Sequence, residues 1–130
     1  MNLEDQVCTP EQSQILWRLG LNRLNRLETN FYWIKFNDHW RLHKSYLPNE
    51  LGKLAFPAYS GTELGLLLPE RLCEDTKYDG FLEMAKRDLV FHISYTNLFY
   101  IQNRNEAQAR TETLIWIIDK GYVTLEELKL

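Results

Sequence analysis

The side chains best able to bind or react lie close together in this 130-residue chain, between positions 31 and 44. This segment contains five aromatic rings, two histidines and three basic residues. Aromatic rings stack on other rings and on bases, cationic groups bind anions, and imidazoles bind metals or exchange protons. The segment is therefore the candidate binding surface, and its function depends on the element that presents these side chains.

Asn37 and Asp38 predict the turn of a β-hairpin, because both residue types tolerate positive φ and the flanking runs suit strands. A two-residue loop pairs Phe36 with His39 and so fixes the register of the whole hairpin. Since side chains alternate across a strand, the hairpin has two faces. One face holds Phe31, Trp33, Lys35, Trp40, Leu42 and Lys44, and the other holds Tyr32, Ile34, Phe36, His39, Arg41 and His43.

The face that contains Trp33 is predicted to pack against the core. Trp33 lies opposite Leu42 in this register, and such an aromatic–aliphatic pair suits a buried position. Lys35 lies opposite Trp40, which places its ammonium group within reach of a cation–π interaction.

The other face is predicted to bind a second molecule, because it combines rings with basic and titratable groups. Its candidate binding residues are Tyr32, Phe36, His39, Arg41 and His43. Two interpretations of this face remain. In the commoner arrangement a helix covers the face and only the polar tips reach solvent, and in the other the face is free to contact a partner.

No catalytic constellation is recognisable, so the sequence predicts neither an enzyme nor a cofactor or metal site. His39 and His43 are four residues apart, a spacing that joins two ligands on a helix but separates them by roughly 13 Å along a strand. Cys8 and Cys73 lack the pattern of a disulfide framework or zinc site and are predicted to be buried or inactive thiols. His92 lies between apolar residues, where a structural role is commoner. A pocket that gathers His92 or Cys73 with an acid would point instead to an enzyme.

Composition predicts one globular domain over residues 1–130. The chain is 45% hydrophobic and 25% charged, close to the averages for globular proteins. Its longest apolar runs are too short to cross a bilayer, and its first residues lack the basic region of a secretory signal. These features predict a cytoplasmic protein that does not act at a membrane.

The charge distribution bears on nucleic-acid binding. Between positions 15 and 46 six basic residues stand against two acidic ones, a balance of +4, so the remainder of a chain of net charge −3 carries −7. A basic half can contact phosphates, although nucleic-acid domains usually carry a stronger excess. It can equally be half of an oligomer interface.

Caps and hydrophobic periodicity predict three main helices. The first begins after Thr9 and ends at Gly20, with Ile15, Leu16 and Leu19 on its apolar side.

Two further helices follow later in the chain. The second has Ser60 or Thr62 as its N-cap and stops at Pro69. The third begins after Asn105 and ends at Gly121.

Residues 89–95 and 98–102 alternate in hydrophobicity around a turn and predict a second hairpin. For the segment from Phe81 to Lys86, strand and helix both remain open, because its composition suits either. The predicted fold is α+β, a single small domain in which an antiparallel sheet from two β-hairpins packs with three main helices.

Three segments carry a resemblance to a known class of proteins. They are the helix that ends in Leu19-Gly-Leu21, the run from Pro57-Ala-Tyr-Ser60 to Leu67-Leu-Pro69, and the helix that runs from Glu106 through Ile115-Trp116 to Gly121-Tyr122. In this order they resemble small uncharacterised proteins carried by prophages and conjugative elements of gut Bacteroidetes. The resemblance covers about a third of the chain and implies the three helices and a mobile-element context, but no activity or functional residue.

The sequence thus favours a non-enzymatic interaction or accessory protein of a mobile element, with a protein partner or a second copy bound by the first hairpin. The alternative is a nucleic-acid-binding protein in which Tyr32, Phe36 and His43 stack on bases while Arg41 and neighbouring arginines bind phosphates.

Overall fold

The chain forms two antiparallel sheets and three main helices, which confirms the predicted α+β class. A computed structural model describes residues 3–23, 29–46, 48–73, 79–96 and 98–128. The helices are α1 (Pro10–Leu19), α2 (Gly61–Gly65), α3 (Glu106–Asp119) and a short α4 (Leu125–Leu128). The strands are β1 (Tyr32–Phe36), β2 (His39–His43), β3 (Ala55–Pro57), β4 (Arg71–Cys73), β5 (Asp79–Arg87), β6 (Val90–Tyr95) and β7 (Phe99–Asn103).

Both predicted hairpins are present, and each belongs to its own sheet. The strand order is β2-β1-β3 in the first sheet and β4-β5-β6-β7 in the second. The segment from Phe81 to Lys86, left open between strand and helix, lies in β5, where Met84 pairs with Ile93 of β6. Cross-strand pairing here outweighs the helix propensity of the local sequence.

The first two helices begin at predicted caps. The Thr9 hydroxyl accepts a hydrogen bond from the Gln12 N–H at 3.1 Å, and the Gln12 side chain accepts one from the Thr9 N–H at 3.0 Å. Gly20 ends α1 with a left-handed φ of 89°. Of the two caps considered for α2, the structure uses Ser60, whose hydroxyl accepts from the Glu63 N–H at 3.2 Å.

The buried side of α1 is only partly the predicted one. Leu16 is fully buried, whereas Ile15 is 37% exposed. The helix instead turns polar side chains inward, and the Gln12 amide donates a hydrogen bond to the Gln108 carbonyl of α3 at 3.2 Å. A hydrogen-bonded contact with α3 therefore sets the rotation of α1, and hydrophobicity alone does not reveal such a contact.

Helix α3 has its predicted N-cap and C-terminal glycine. The Asn105 side chain accepts from the Gln108 N–H at 2.9 Å. At the other end Gly121 has a φ of 80°, and the Tyr122 N–H donates to the Ile117 carbonyl at 3.0 Å, which is a Schellman motif.

The main core lies where the helices meet the second sheet. It includes Leu64, Leu67 and Leu68 together with Leu114 of α3 and Tyr95 of β6. A smaller cluster belongs to the first sheet and is built from the buried residues Val7, Trp33 and Ala58. Because this smaller cluster uses one face of the first hairpin, it determines which face can remain outside.

Candidate functional site

The turn of the first hairpin has the predicted conformation. Asn37 and Asp38 both have positive φ, 45° and 69°, as a type I′ turn requires. The register is also the predicted one, from Phe36 opposite His39 to Tyr32 opposite His43. A local turn signal therefore fixes the direction of every side chain in the hairpin.

The inner face of the hairpin packs into the smaller core cluster, as predicted. Trp33 is only 6% exposed, and its indole Nε1–H donates a hydrogen bond to the Cys8 carbonyl at 2.8 Å. Leu42 packs against the same cluster. The Lys35 ammonium lies 5.9 Å from the centre of the Trp40 ring, so the predicted cation–π pair is confirmed.

The outer face is open at Phe36 and along β2, where the interpretation of a covered face is wrong, whereas Ile34 on the same face is only 6% exposed, as that interpretation expects. Phe36 is 45% exposed, and His39, Arg41 and His43 are exposed. The Arg41 guanidinium lies 5.9 Å from the Phe36 ring centre, and the Phe36 and His43 rings are 5.5 Å apart. We refer to Phe36, Arg41 and His43 as the Phe36 cluster.

The remaining candidates occupy the two ends of the face. His39 lies beside the turn, exposed and opposite Phe36. Tyr32 is half-buried at the other end, with its ring 4.5 Å from the ring of Tyr46. Burial raises the pKa of the Tyr32 hydroxyl, and the neighbouring Tyr46 raises it further. Tyr32 therefore belongs to the wall of a cleft and is not part of the Phe36 cluster.

That cleft was missed by sequence reasoning. It has a volume of about 560 Å³ and lies between the start of β1 and the segment after β2, with a lining that includes Thr29, Asn30, Tyr32, Lys44 and Tyr46. Tyr46 lies two residues beyond Lys44, the last residue of the predicted strand pairs, so no periodicity connects it to Tyr32. Only its aromatic character close to the hairpin could have drawn attention to it.

The hairpin is positively charged on its exposed parts. Lys35, Arg41 and Lys44 are exposed, and Asp38 in the turn is the acidic residue of the same segment. Within the described ranges, none of the three cations forms an ion pair. Their charges are therefore available to an external anion.

His92 and Cys8, two of the residues considered for catalysis, lie in separate parts of the fold. His92 Nδ1 is 2.6 Å from the hydroxyl of Tyr100 on the second sheet, so its near neighbour is a phenol. Cys8 is fully buried, with its Sγ 3.1 Å from the Ser13 hydroxyl, and burial raises the pKa of its thiol. The Cys73 side chain lies outside the described part. No group of three or more potential metal ligands occurs among the described residues.

Cys8 is expected to be unreactive in the native protein, because a raised pKa lowers the thiolate fraction and burial blocks access. In a Cys73→Ser variant, Ellman's reagent should modify no thiol in native buffer and one thiol in concentrated urea. Rapid native-state modification would contradict the buried position of Cys8.

In the portion of the chain that the structure describes, no helix has both the length and the apolar character needed to cross a bilayer. Comparison with protein-family models, with curated proteins and with solved structures finds no match.

Proposed function

We propose that this protein acts by contact, binding a protein partner through the Phe36 cluster and His39. The observation that carries the proposal is the exposure of Phe36 beside an unpaired Arg41. Aromatic residues and arginine are enriched where binding energy concentrates in interfaces, since they offer large contact areas and directed hydrogen bonds. The cluster consists of a ring, a guanidinium and an imidazole, and it brings no carboxylate, hydroxyl or thiol to the imidazole, so it favours binding over catalysis.

Photo-crosslinking in cells that naturally produce the protein tests this proposal. With a benzophenone amino acid in place of His39, irradiation should give a discrete adduct with another protein. Arg41→Glu should reduce that adduct by about tenfold, because it reverses a charge that an interface would desolvate. Arg41 is exposed, so the thermal unfolding temperature should stay within a few degrees, about the effect of a neutral surface substitution.

The same crosslinker in place of Glu112, exposed on α3, provides the matched control. An identical adduct from both positions, or an adduct at His39 that survives Arg41→Glu, would mean that the Phe36 cluster is not the contact surface.

Nucleic-acid binding is the second candidate, because Phe36 and His43 present exposed rings next to Arg41. A filter-binding titration with a single-stranded oligonucleotide at several salt concentrations separates the two candidates. If Lys35, Arg41 and Lys44 contact phosphates, the logarithm of affinity should fall against the logarithm of salt with a slope of about −2. Absence of binding at low salt favours the protein partner. The mobile-element context and the cytoplasmic location stay predictions.

A further inference from the structure

Strand β2 forms a free edge of the first sheet. The strand order is β2-β1-β3, so β2 has a neighbour on one side, and among the described residues no strand pairs with its other side. Such an edge presents unpaired backbone groups that can pair with an added strand.

The hydrogen bonds of β1 show which groups of β2 are free. The Lys35 N–H donates to the Leu54 carbonyl, and the Ala58 N–H donates to the Phe31 carbonyl, both at 2.9 Å. The odd-numbered residues of β1 therefore bond towards β3, and the even-numbered ones bond towards β2. Since Ile34 is opposite Arg41, the partners on β2 are His39, Arg41 and His43.

The backbone groups of the two intervening residues consequently point away from β1. Trp40 and Leu42 each offer one N–H donor and one C=O acceptor to the free edge. An antiparallel strand placed there would form hydrogen bonds with all four groups.

The side chains along this edge define what that strand should carry. On the outer face His39, Arg41 and His43 are exposed, and on the inner face Trp40 and Leu42 are half-buried. A complementary strand has acidic residues opposite the first set and apolar residues opposite the second. Such a strand would extend the apolar cluster around Trp33 while it neutralises Arg41.

A second copy of this strand is a poorer match for the edge. Regular antiparallel pairing keeps residues of one face together, so any self-pairing of β2 places Arg41 against Arg41, His39 or His43 of the other copy. The first of these registers places two guanidinium charges directly opposite one another, and none of the three gives Arg41 an acidic partner, so a second copy fits less well than an acidic strand. The phosphate backbone of a nucleic acid fits this edge less well than a peptide backbone, because phosphate oxygens only accept hydrogen bonds whereas half of the free groups on β2 are acceptors that need donors.

We propose that the free edge of β2 binds an extended segment of a partner protein, with alternating acidic and apolar residues, as an added antiparallel strand. This inference rests on the proposed function and specifies its partner. Affinity comes from backbone hydrogen bonds at Trp40 and Leu42, and selectivity comes from Arg41 and the flanking histidines.

The test is amide hydrogen exchange of the full chain, measured with and without a nonapeptide of alternating glutamate and valine whose two termini are chemically capped. At saturating peptide the amides of Trp40 and Leu42 should exchange at least about tenfold more slowly. The amides of β7, an edge strand of the other sheet, should not change. A peptide of the same sequence with N-methylated valines keeps the charge but lacks the donors that face β2, so it should give no protection.

Arg41→Glu should weaken peptide binding by about tenfold, whereas Arg87→Glu, the same charge change at an exposed position of β5, should leave it unchanged. Binding without protection of Trp40 and Leu42, equal binding of the N-methylated peptide, or no binding would each overturn strand addition. An oligonucleotide that binds with a steep salt dependence where the peptide does not would also overturn it. In each of these cases the proposed function is judged by the photo-crosslinking experiment alone. An adduct at His39 that depends on Arg41 would still support it, and the absence of that adduct would contradict it.

Discussion

Trp33→Ala is expected to lower the free energy of unfolding by about 4 kcal/mol, the typical cost of removing a large aromatic side chain from a core. Trp33 is 6% exposed and packs with Val7 and Ala58 in the cluster that anchors the first hairpin. The substitution also leaves the Cys8 carbonyl without the 2.8 Å hydrogen bond from the indole. Urea denaturation followed by circular dichroism measures the change.

Trp33→Phe is the matched control, because it keeps most of the apolar volume and removes the N–H donor. It should cost about 1–3 kcal/mol, the penalty for an unsatisfied buried acceptor together with a small packing loss. A loss below about 1 kcal/mol for Trp33→Ala would mean that the cluster is not a core, since buried aromatic truncations cost several times more. The outer face would then lack a fixed orientation, and both binding proposals would lose their basis.

The geometry of the first hairpin could be predicted because its determinants are local. Asn37 and Asp38 supply the two positive φ angles, and a two-residue loop leaves one register. Once the register is fixed, alternation assigns each side chain to a face without knowledge of the rest of the fold. The caps of α1 and α3 were predictable for the same reason, since Thr9 and Asn105 bond to residues three positions away.

The exposure of a face could not be predicted, because it depends on where distant elements pack. Helix α3 packs against β6 and β7 and leaves the outer face of the first hairpin open at Phe36. Nothing within residues 31–44 encodes that choice. The placement of the two hairpins in separate sheets also depends on distant packing. It follows from the pairing of β1 with Ala55–Pro57, and the sequence of that segment has no strand pattern.

Leu89 is a position where hydrophobic alternation predicts the wrong secondary structure. Its alternation with Val90 predicts a strand position, yet it lies in the turn before β6 with a φ of 66° and is 76% exposed. Leucine rarely adopts this conformation, so residue type gave no turn signal there. The turn is set by the pairing of Arg87 with Val90, which depends on the full β5–β6 register.

Gly65→Ala is expected to destabilise the protein by about 2 kcal/mol, although alanine normally favours a helix over glycine. A Cβ at Gly65 would overlap Nη1 of Arg110, which donates a hydrogen bond to the Gly61 carbonyl. The same guanidinium pairs with Glu106 at 2.6 Å and lies 5.5 Å from the Phe91 ring centre, so it has little freedom to move aside. Displacing it removes these contacts at once.

The sign of the effect should reverse when Arg110 is absent. In an Arg110→Ala background the overlap no longer exists, and Gly65→Ala should stabilise the protein by about 0.5–1 kcal/mol through the reduced entropy of the unfolded chain. The four proteins form a double-mutant cycle, and urea midpoints should give a coupling of about 2–3 kcal/mol, as expected for residues in direct contact. Equal effects of Gly65→Ala in both backgrounds would show that Arg110 does not occupy the space beside Gly65. A reversal would establish that glycine is needed at position 65 to make room for the Arg110 guanidinium, which links α3 to α2.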